Sequence, residues 1–214
     1  MLGPNSRALL AYAQRGAASP PNAPRPTSGS DVFVQGYRPG GLQQLGYGPQ
    51  ELAAQRPGIV VVSLSAYGAT GPWATRRGFD SLVQTATGFN HAEAQAFGSG
   101  PPRALPMQIL DHASGYLMAL GACAALQRQI SEGGSWQVQV SLARTAHWLR
   151  GLGRVEGGFG AAKPDFAPYV ETVHSGFGAL TALRHAAQLS ATPASWPRPS
   201  MPPGSHALAW PSVD

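Results

Sequence analysis

Charged residues and cysteine are scarce in this chain of 214 residues. Only 12% of its residues are Asp, Glu, Lys or Arg, and Cys123 is the only cysteine. A single cysteine excludes an intrachain disulfide and a cysteine-rich metal site. The six histidines lack the spacing of metal ligands, so we predict no metal site. The Gly-x-Ser-x-Gly, Walker and Gly-x-Gly-x-x-Gly motifs are also missing, which argues against the common hydrolases, kinases and dehydrogenases.

Long apolar runs are missing too. The N-terminal segment has no apolar stretch of secretory length, and no stretch elsewhere reads as long enough to span a membrane. We therefore expect a soluble, cytoplasmic protein with no membrane partner.

The positive charge comes almost entirely from arginine, since Lys163 is the only lysine and the net charge is +5. The arginines are scattered, and Arg76 and Arg77 are the only adjacent pair. Binding along a nucleic-acid backbone usually needs a clustered basic face, so we do not expect a nucleic-acid partner. A small ligand with several phosphates suits this charge equally well, and a basic binding module remains an alternative.

The chain divides into three parts by composition. Residues 1–30 are rich in Pro, Ser and Gly, and such a segment buries too little apolar surface to become ordered. Residues 31–156 carry the apolar patterns of an ordered core. Residues 157–214 are predicted to hold one more helix, within Val170–Leu189, and a proline-rich tail.

Strand and helix patterns alternate through the core, which predicts an α/β fold with irregular ends. Short apolar or alternating runs predict the strands, namely Asp31–Gln35, Ile59–Ser65, Ala104–Leu110 and Trp136–Leu142. Helical spacing predicts the helices, namely Pro49–Gln55, Phe79–Thr87, His112–Ile130 and Ala143–Leu152.

Asp111 is the acidic residue best placed for chemistry. It follows the predicted strand Ala104–Leu110 and precedes the predicted helix, so its carboxylate would meet free N–H groups and the positive end of the helix dipole. That environment favours the ionised form. Ligands of α/β sheets bind at such strand ends, but aspartate is also a preferred N-cap, and position alone favours the cap. Asp80 can equally be a helix cap, Tyr37 and Phe79 core aromatic residues, and Arg77 a surface charge.

Several segments, taken in order, resemble the CaiB/BaiF proteins, family III of the coenzyme A (CoA) transferases. The resemblance covers about residues 31–150. The matching segments are 31–42, 45–48, 61–72, 77–80, 111–115, 117–122 and 133–142. It implies part of the family's Rossmann-like large domain, a fragment that lacks the N-terminal part, and a homodimer of interlocked chains.

The resemblance also implies a reaction. Asp111 matches the aspartate that attacks the thioester of an acyl-CoA, so that CoA passes to a small organic acid through a covalent aspartyl intermediate. Asp80 matches an acidic residue beside that nucleophile. Tyr37 matches a position that packs on the adenine side of the cofactor, and Arg77 matches a basic position near its phosphates. Gly36, beside Tyr37, is also assigned to cofactor binding.

Other activities remain alternatives. Related racemases have a histidine where this chain has Phe79, and exchange of an α-proton needs an acid and a base on opposite faces, so transfer is favoured over racemisation. Phe79 is assigned with Arg77 to the cofactor side of the site. A further alternative is that the chain is an inactive fragment, or a subunit that needs a separate N-terminal half.

Overall fold

The computed structural model describes residues 30–196 and 199–206. The predicted disordered segment 1–30 therefore lies, up to residue 29, outside the described residues. The chain divides into two compact units between Arg154 and Val155, two residues before the predicted boundary.

The first unit contains a parallel sheet of three strands. Its strands are β1 (Val32–Gln35), β2 (Val60–Ser65) and β3 (Trp136–Ser141), in that spatial order. Both pairings are parallel, and Gln35, Ser63 and Gln139 lie side by side across the three strands. Parallel strands require crossover connections, and the intervening helices provide them. The predicted α/β class is confirmed.

The first unit also contains five helices. They are α1 (Pro49–Gln55), α2 (Asp80–Ala86), α3 (Phe89–Ala96), α4 (Ile109–Glu132) and α5 (Leu142–Gly151). Four correspond to predicted helices, but α3 lies in a stretch that we predicted as a polar loop. Gly88, with φ of 82°, ends one helix and allows α3 to begin at once, because glycine adopts this left-handed conformation without steric cost.

Apolar side chains cover both faces of the sheet. Val32, Val60 and Val62 pack against Ala125 of α4 on one face. Phe33, Ile59 and Val61 pack with Leu52 of α1 in a second cluster. Each large side chain buried in this way contributes about 1.5–3 kcal/mol. A third cluster, formed by Val83, Leu110, Leu142 and Ala146, joins α2, α4 and α5.

The contact between α4 and β3 depends on a glycine. A Cβ atom at Gly121 would lie 2.6 Å from Cγ1 of Val138, whereas a Cβ atom at Gly115 of the same helix would meet nothing within 4 Å. Val138 cannot turn away easily, because a β-branched side chain is stiff and this one packs against the core. Gly121 therefore marks a close approach between α4 and the sheet, which a larger residue would obstruct.

Gly121→Ala is expected to lower the free energy of unfolding by about 1–3 kcal/mol, the usual cost of overpacking. Gly115→Ala is the matched control, and it should raise that free energy by up to about 1 kcal/mol because alanine favours the helix. Urea denaturation of the two variants checks this. Equal effects would show that Val138 yields at no cost.

Helix α4 is also the one helix in the described part of the chain that has the length and hydropathy of a membrane span, contrary to our expectation from the sequence. Core helices of soluble proteins often share these properties, so the observation is weak evidence for a membrane. Here one face of α4 packs on the sheet through Ala125, with Met118, Ala122 and Leu126 beside it. Its opposite face is exposed, including Tyr116, Leu120 and Ile130.

The predicted strand Ala104–Leu110 is wrong. Residues 104–108 form no strand, and Ile109 and Leu110 already belong to α4. The backbone of this segment is instead held by the side chain of Gln84, which accepts a hydrogen bond from the Leu105 N–H at 3.3 Å and donates one to the Met107 carbonyl at 3.1 Å. A single amide thus provides the donor and the acceptor that a neighbouring strand would have provided.

The second unit contains a β-hairpin where we predicted a helix within Val170–Leu189. Its antiparallel strands are β4 (Val170–Ser175) and β5 (Gly178–Leu183). The hydroxyl of Ser175 accepts from the Phe177 N–H and donates to the Gly178 carbonyl, and Gly178 has φ of 91°. These contacts form a tight turn. Our helix prediction did not take the turn-forming glycines into account.

Candidate active site

Asp111 lies in the first turn of α4, not at the end of a strand. The helix begins at Ile109 after Gln108, so Asp111 is its third residue, and its side chain is exposed. No side chain forms a cap hydrogen bond at Gln108, so Asp111 is not the N-cap that its position suggested. Its carboxylate is therefore accessible at the positive end of a helix of 24 residues.

Asp80 is the residue that holds the start of α4. Its side chain is 1% exposed, and Oδ2 accepts a hydrogen bond from the backbone N–H of Asp111 at 2.9 Å. Asp80 is the first residue of α2 and does not cap its own helix. The structure thus brings the two predicted acids together, with the carboxylate of one bound to the main chain of the other.

Gln84 completes this arrangement and was missed in the sequence. Its side chain is 2% exposed, and Nε2 donates to Oδ1 of Asp80 as well as to the Met107 carbonyl. Its spacing of four residues from Asp80 places both side chains on one face of α2, the face that also buries Val83. A polar pair at this spacing beside a buried valine was the available signal.

The position of Asp80 depends on close packing at Gly78. A Cβ atom at Gly78 would lie 2.7 Å from Cβ of Ala66 and 3.1 Å from Cγ2 of Val83. Ala66 follows directly after β2, so the absence of a side chain at Gly78 lets the start of α2 pack against the end of that strand.

The pKa of the Asp111 carboxyl is raised above its usual range, which corrects our expectation that its surroundings favour the ionised form. Partial burial is the main cause, and the nearby charge of Asp80 adds to it, while His112 acts in the opposite direction. A carboxylate that water and a neighbouring acid stabilise poorly is a better nucleophile than a fully solvated one.

A trough of about 1050 Å³ lies in the first unit beside the polar residues that cross the sheet. Its walls include Tyr37 and the side chains of two basic residues, Arg38 and Arg144, and its described lining contains no Asp or Glu. Polar groups from all three strands reach it, namely Gln35, Ser63, Ser65, Gln137, Gln139 and Ser141. A polar, cationic trough of this kind suits an anionic ligand.

The remaining predicted residues are placed separately. Gly36 directly precedes Tyr37, after the end of β1, and is exposed. Arg77 and Phe79 are exposed on the segment before α2, with Phe79 at 80%, and neither lines the trough. Asp111 does not line it either, although Leu117 of the same helix does. Within residues 30–196 and 199–206, no group of three or more His, Cys, Asp or Glu is placed to hold a metal ion.

Comparison with protein families identifies the family of this chain. The model of CoA-transferase family III matches residues 27–158, which is more than half of the chain. The chain therefore belongs to CoA-transferase family III, and the resemblance that the sequence segments indicated is confirmed.

Relatives and solved structures agree. The chain is 34% identical over 121 residues to a probable fatty acyl-CoA transferase of Mycobacterium tuberculosis, covering 56% of this chain and 30% of the relative. It is 32% identical over 114 residues to the acetyl-CoA:oxalate CoA-transferase of Acetobacter aceti, covering 53% and 29%. A crystal structure of the mycobacterial protein superposes with a TM-score of 0.54 at 32% identity, over 59% of this chain and 35% of that one.

A CaiB/BaiF family protein from Brucella suis shares the fold, with a TM-score of 0.51 at 22% identity, over 72% of this chain and 42% of that one. The chain spans about a third of the length of the curated relatives that it matches.

Proposed function

We propose that this chain acts in CoA transfer between an acyl-CoA and a small organic acid, with Asp111 as the covalent nucleophile. The observation that carries the proposal is the Asp111 carboxyl, which is exposed at the start of α4. The backbone N–H of Asp111 donates to the buried Asp80 and so fixes the residue. Membership of CoA-transferase family III supports the class of reaction.

The chemistry follows from the properties of a carboxylate. The Asp111 carboxylate attacks the thioester carbonyl, the C–S bond breaks, and CoA thiolate leaves with its electron pair, so that Asp111 and the donor acyl group are joined in a mixed anhydride. The thiolate then attacks the aspartyl carbonyl and releases the donor acid as its carboxylate, which leaves an aspartyl thioester of CoA. The acceptor carboxylate attacks this thioester and expels CoA thiolate, which leaves a second mixed anhydride. The thiolate then attacks the acyl carbonyl of the acceptor, which gives the new acyl-CoA and releases the Asp111 carboxylate. Each step exchanges one leaving group for another, so no oxidant or metal is required.

The trough is proposed to hold the nucleotide end of CoA. Tyr37 offers an aromatic face for a base, and Arg38 and Arg144 offer donors for phosphates. Leu117 lies six residues beyond Asp111, which is about 9 Å along a helix that rises 1.5 Å per residue. The extended arm of the cofactor would span this distance, so that the thioester lies near Asp111. Arg77 and Phe79 do not line the trough, so this arrangement gives them no contact with the nucleotide end, unlike the position near the phosphates that the resemblance implies for Arg77.

A trapping experiment tests the nucleophile. The chain is mixed with an acyl-CoA and hydroxylamine, whose nitrogen attacks an activated aspartyl carbonyl and displaces thiolate or carboxylate. We expect a hydroxamate on Asp111, located by peptide mass spectrometry, and none when free CoA replaces the acyl-CoA. Folded protein that remains unmodified would contradict the proposal.

A second candidate function is that of a subunit completed by another polypeptide. The exposed face of α4 supports it, because Tyr116, Leu120 and Ile130 are 63–72% exposed and the aligned part of the chain covers only 30% of the mycobacterial relative. A homodimer, which the family resemblance implies, is the corresponding proposal for a second copy of this chain.

The subunit candidate predicts an adjacent reading frame that encodes the rest of the family fold. Reading the flanking genomic DNA tests this directly. When the two polypeptides are mixed, the exposed Cys123 on α4 should become protected from maleimide. Unchanged labelling would argue against assembly through this face.

A further inference from the structure

The side chain of Gln84 forms hydrogen bonds both to Asp80 and to the segment leading into α4. One nitrogen atom donates to Asp80 and to the Met107 carbonyl, while the oxygen accepts from the Leu105 N–H. Asp80 then accepts from the N–H of Asp111 at 2.9 Å. These contacts form a continuous path from α2 to the first turn of α4.

Burial makes this path costly to break. Gln84 and Asp80 are 2% and 1% exposed, so neither side chain can replace a lost partner with bulk water. Hydrogen bonds to a charged acceptor are stronger than those between neutral groups, and an unpaired buried group keeps its full desolvation cost. The amide of Gln84 therefore leaves the Asp80 carboxylate little freedom to turn.

We infer that Gln84 is a positioning residue for the nucleophile, acting through Asp80 and through the segment before α4. This inference rests on the proposed role of Asp111, because positioning has a purpose only where that carboxyl reacts. Gln84 fixes the orientation in which Asp80 binds the Asp111 N–H, and it also fixes residues 105–107, from which α4 begins. Both effects set where the Asp111 carboxyl lies.

The role of Gln84 differs from that of an ordinary buried glutamine. A residue that only held the segment before α4 would change stability without changing the environment of Asp111. Positioning through Asp80 changes that environment, because the charge of Asp80 raises the pKa of Asp111 and His112 lowers it. If Asp80 were held less firmly, its charge would raise the pKa of Asp111 less.

The test compares Gln84→Met with Gln127→Met in the full chain. Methionine preserves length but removes the amide, and Gln127 is an exposed residue of α4. Nuclear magnetic resonance gives two readouts that need no substrate, namely hydrogen exchange at the Asp111 amide and titration of the Asp111 carboxyl. In Gln84→Met we expect exchange to be roughly ten-fold faster, the equivalent of one lost hydrogen bond, and the pKa of Asp111 to fall towards its ordinary value. The inference is overturned if both readouts equal those of Gln127→Met.

If Gln84→Met does not fold, Gln84→Glu provides the measurement. A protonated glutamate retains an O–H donor for Asp80 and an oxygen for Leu105, so protection of the Asp111 amide should be nearly normal in acid and decline as the new carboxyl ionises. Protection that is independent of pH would contradict the inference. These readouts are separate from hydroxylamine trapping, so a chain that shows the coupling but forms no hydroxamate contradicts the proposed reaction alone.

Discussion

Asp111→Asn is expected to reduce hydroxamate formation from acyl-CoA by about 10⁴-fold or more, as loss of a covalent nucleophile does in other enzymes. Asparagine has nearly the same shape but no carboxylate to attack the thioester. The backbone N–H that binds Asp80 remains, so the start of α4 should be preserved. Because the Asp111 side chain is exposed, we expect the free energy of unfolding to change by less than about 0.5 kcal/mol.

Glu132→Gln is the matched control for this prediction. Glu132 is the other acid of α4, at its opposite end, and its ion pair with Arg128 is exposed and long, at 3.9 Å. Such a pair contributes little, so this variant should keep wild-type trapping and stability. Trapping that survives in Asp111→Asn would show that another carboxylate carries the acyl group. Unfolding of Asp111→Asn would show a structural role that its exposure does not suggest.

Much of the first unit was predictable because its local signals agree with its packing. The strand Val60–Ser65 begins with three consecutive valines, as expected for a strand with residues buried on both faces, and it lies at the centre of the sheet. The long helix was also predictable, since its small residues permit the close contact of Gly121 with Val138. Short-range patterns suffice where one element has one dominant neighbour.

The segment before α4 shows where such patterns fail. Residues 104–110 look like a strand because they are partly apolar and follow a loop, but their hydrogen-bond partner is one side chain about twenty residues earlier. The spacing of Gln84 from Asp80 indicates a shared face of α2, but it does not show that the Gln84 amide binds the backbone of residues 105 and 107. The helix prediction for the second unit was wrong for a different reason. Gly176 and Gly178 mark a turn between two strands whose side chains are mostly exposed, so apolar and polar residues alternate only weakly along them.

The sequence singled out the two acidic residues of the candidate site, but it did not predict the direction of the Asp111 pKa. Family resemblance singled out Asp111 and Asp80, and they are in contact. The direction of the Asp111 pKa was predicted wrongly because the dipole of α4 was considered without the opposing effects of burial and of Asp80. The helix position of an acid does not determine its charge when a second acid lies beside it.

Asp80→Asn is expected to have the second-largest effect, on both stability and the pH dependence of trapping. An asparagine places an NH₂ group against either the Asp111 N–H or the Gln84 amide, both of which are donors, and it removes a charged acceptor. Since the site is buried, we expect a loss of about 1.5–3 kcal/mol in the free energy of unfolding, measured by urea denaturation.

The pH effect of Asp80→Asn has a definite direction. The ionised form of Asp111 is the nucleophile, so trapping should rise with pH through its raised pKa, at higher pH than for an ordinary aspartate. Asp80→Asn removes one cause of the raised pKa and should move this rise to lower pH. His112→Gln removes the opposing influence and should move it to higher pH. Shifts of both variants in the same direction would contradict the electrostatic account.

The same raised pKa predicts how folding depends on pH. The folded state favours the protonated form of Asp111, so this contribution to stability is present below the ordinary pKa of an aspartate and is lost as the pH rises through the raised pKa. Asp111→Asn should abolish this dependence, whereas Asp80→Asn should only weaken it, because partial burial remains the larger cause. Unfolding free energies measured across acidic pH distinguish these outcomes, since a dependence unchanged in Asp111→Asn would assign it to another group.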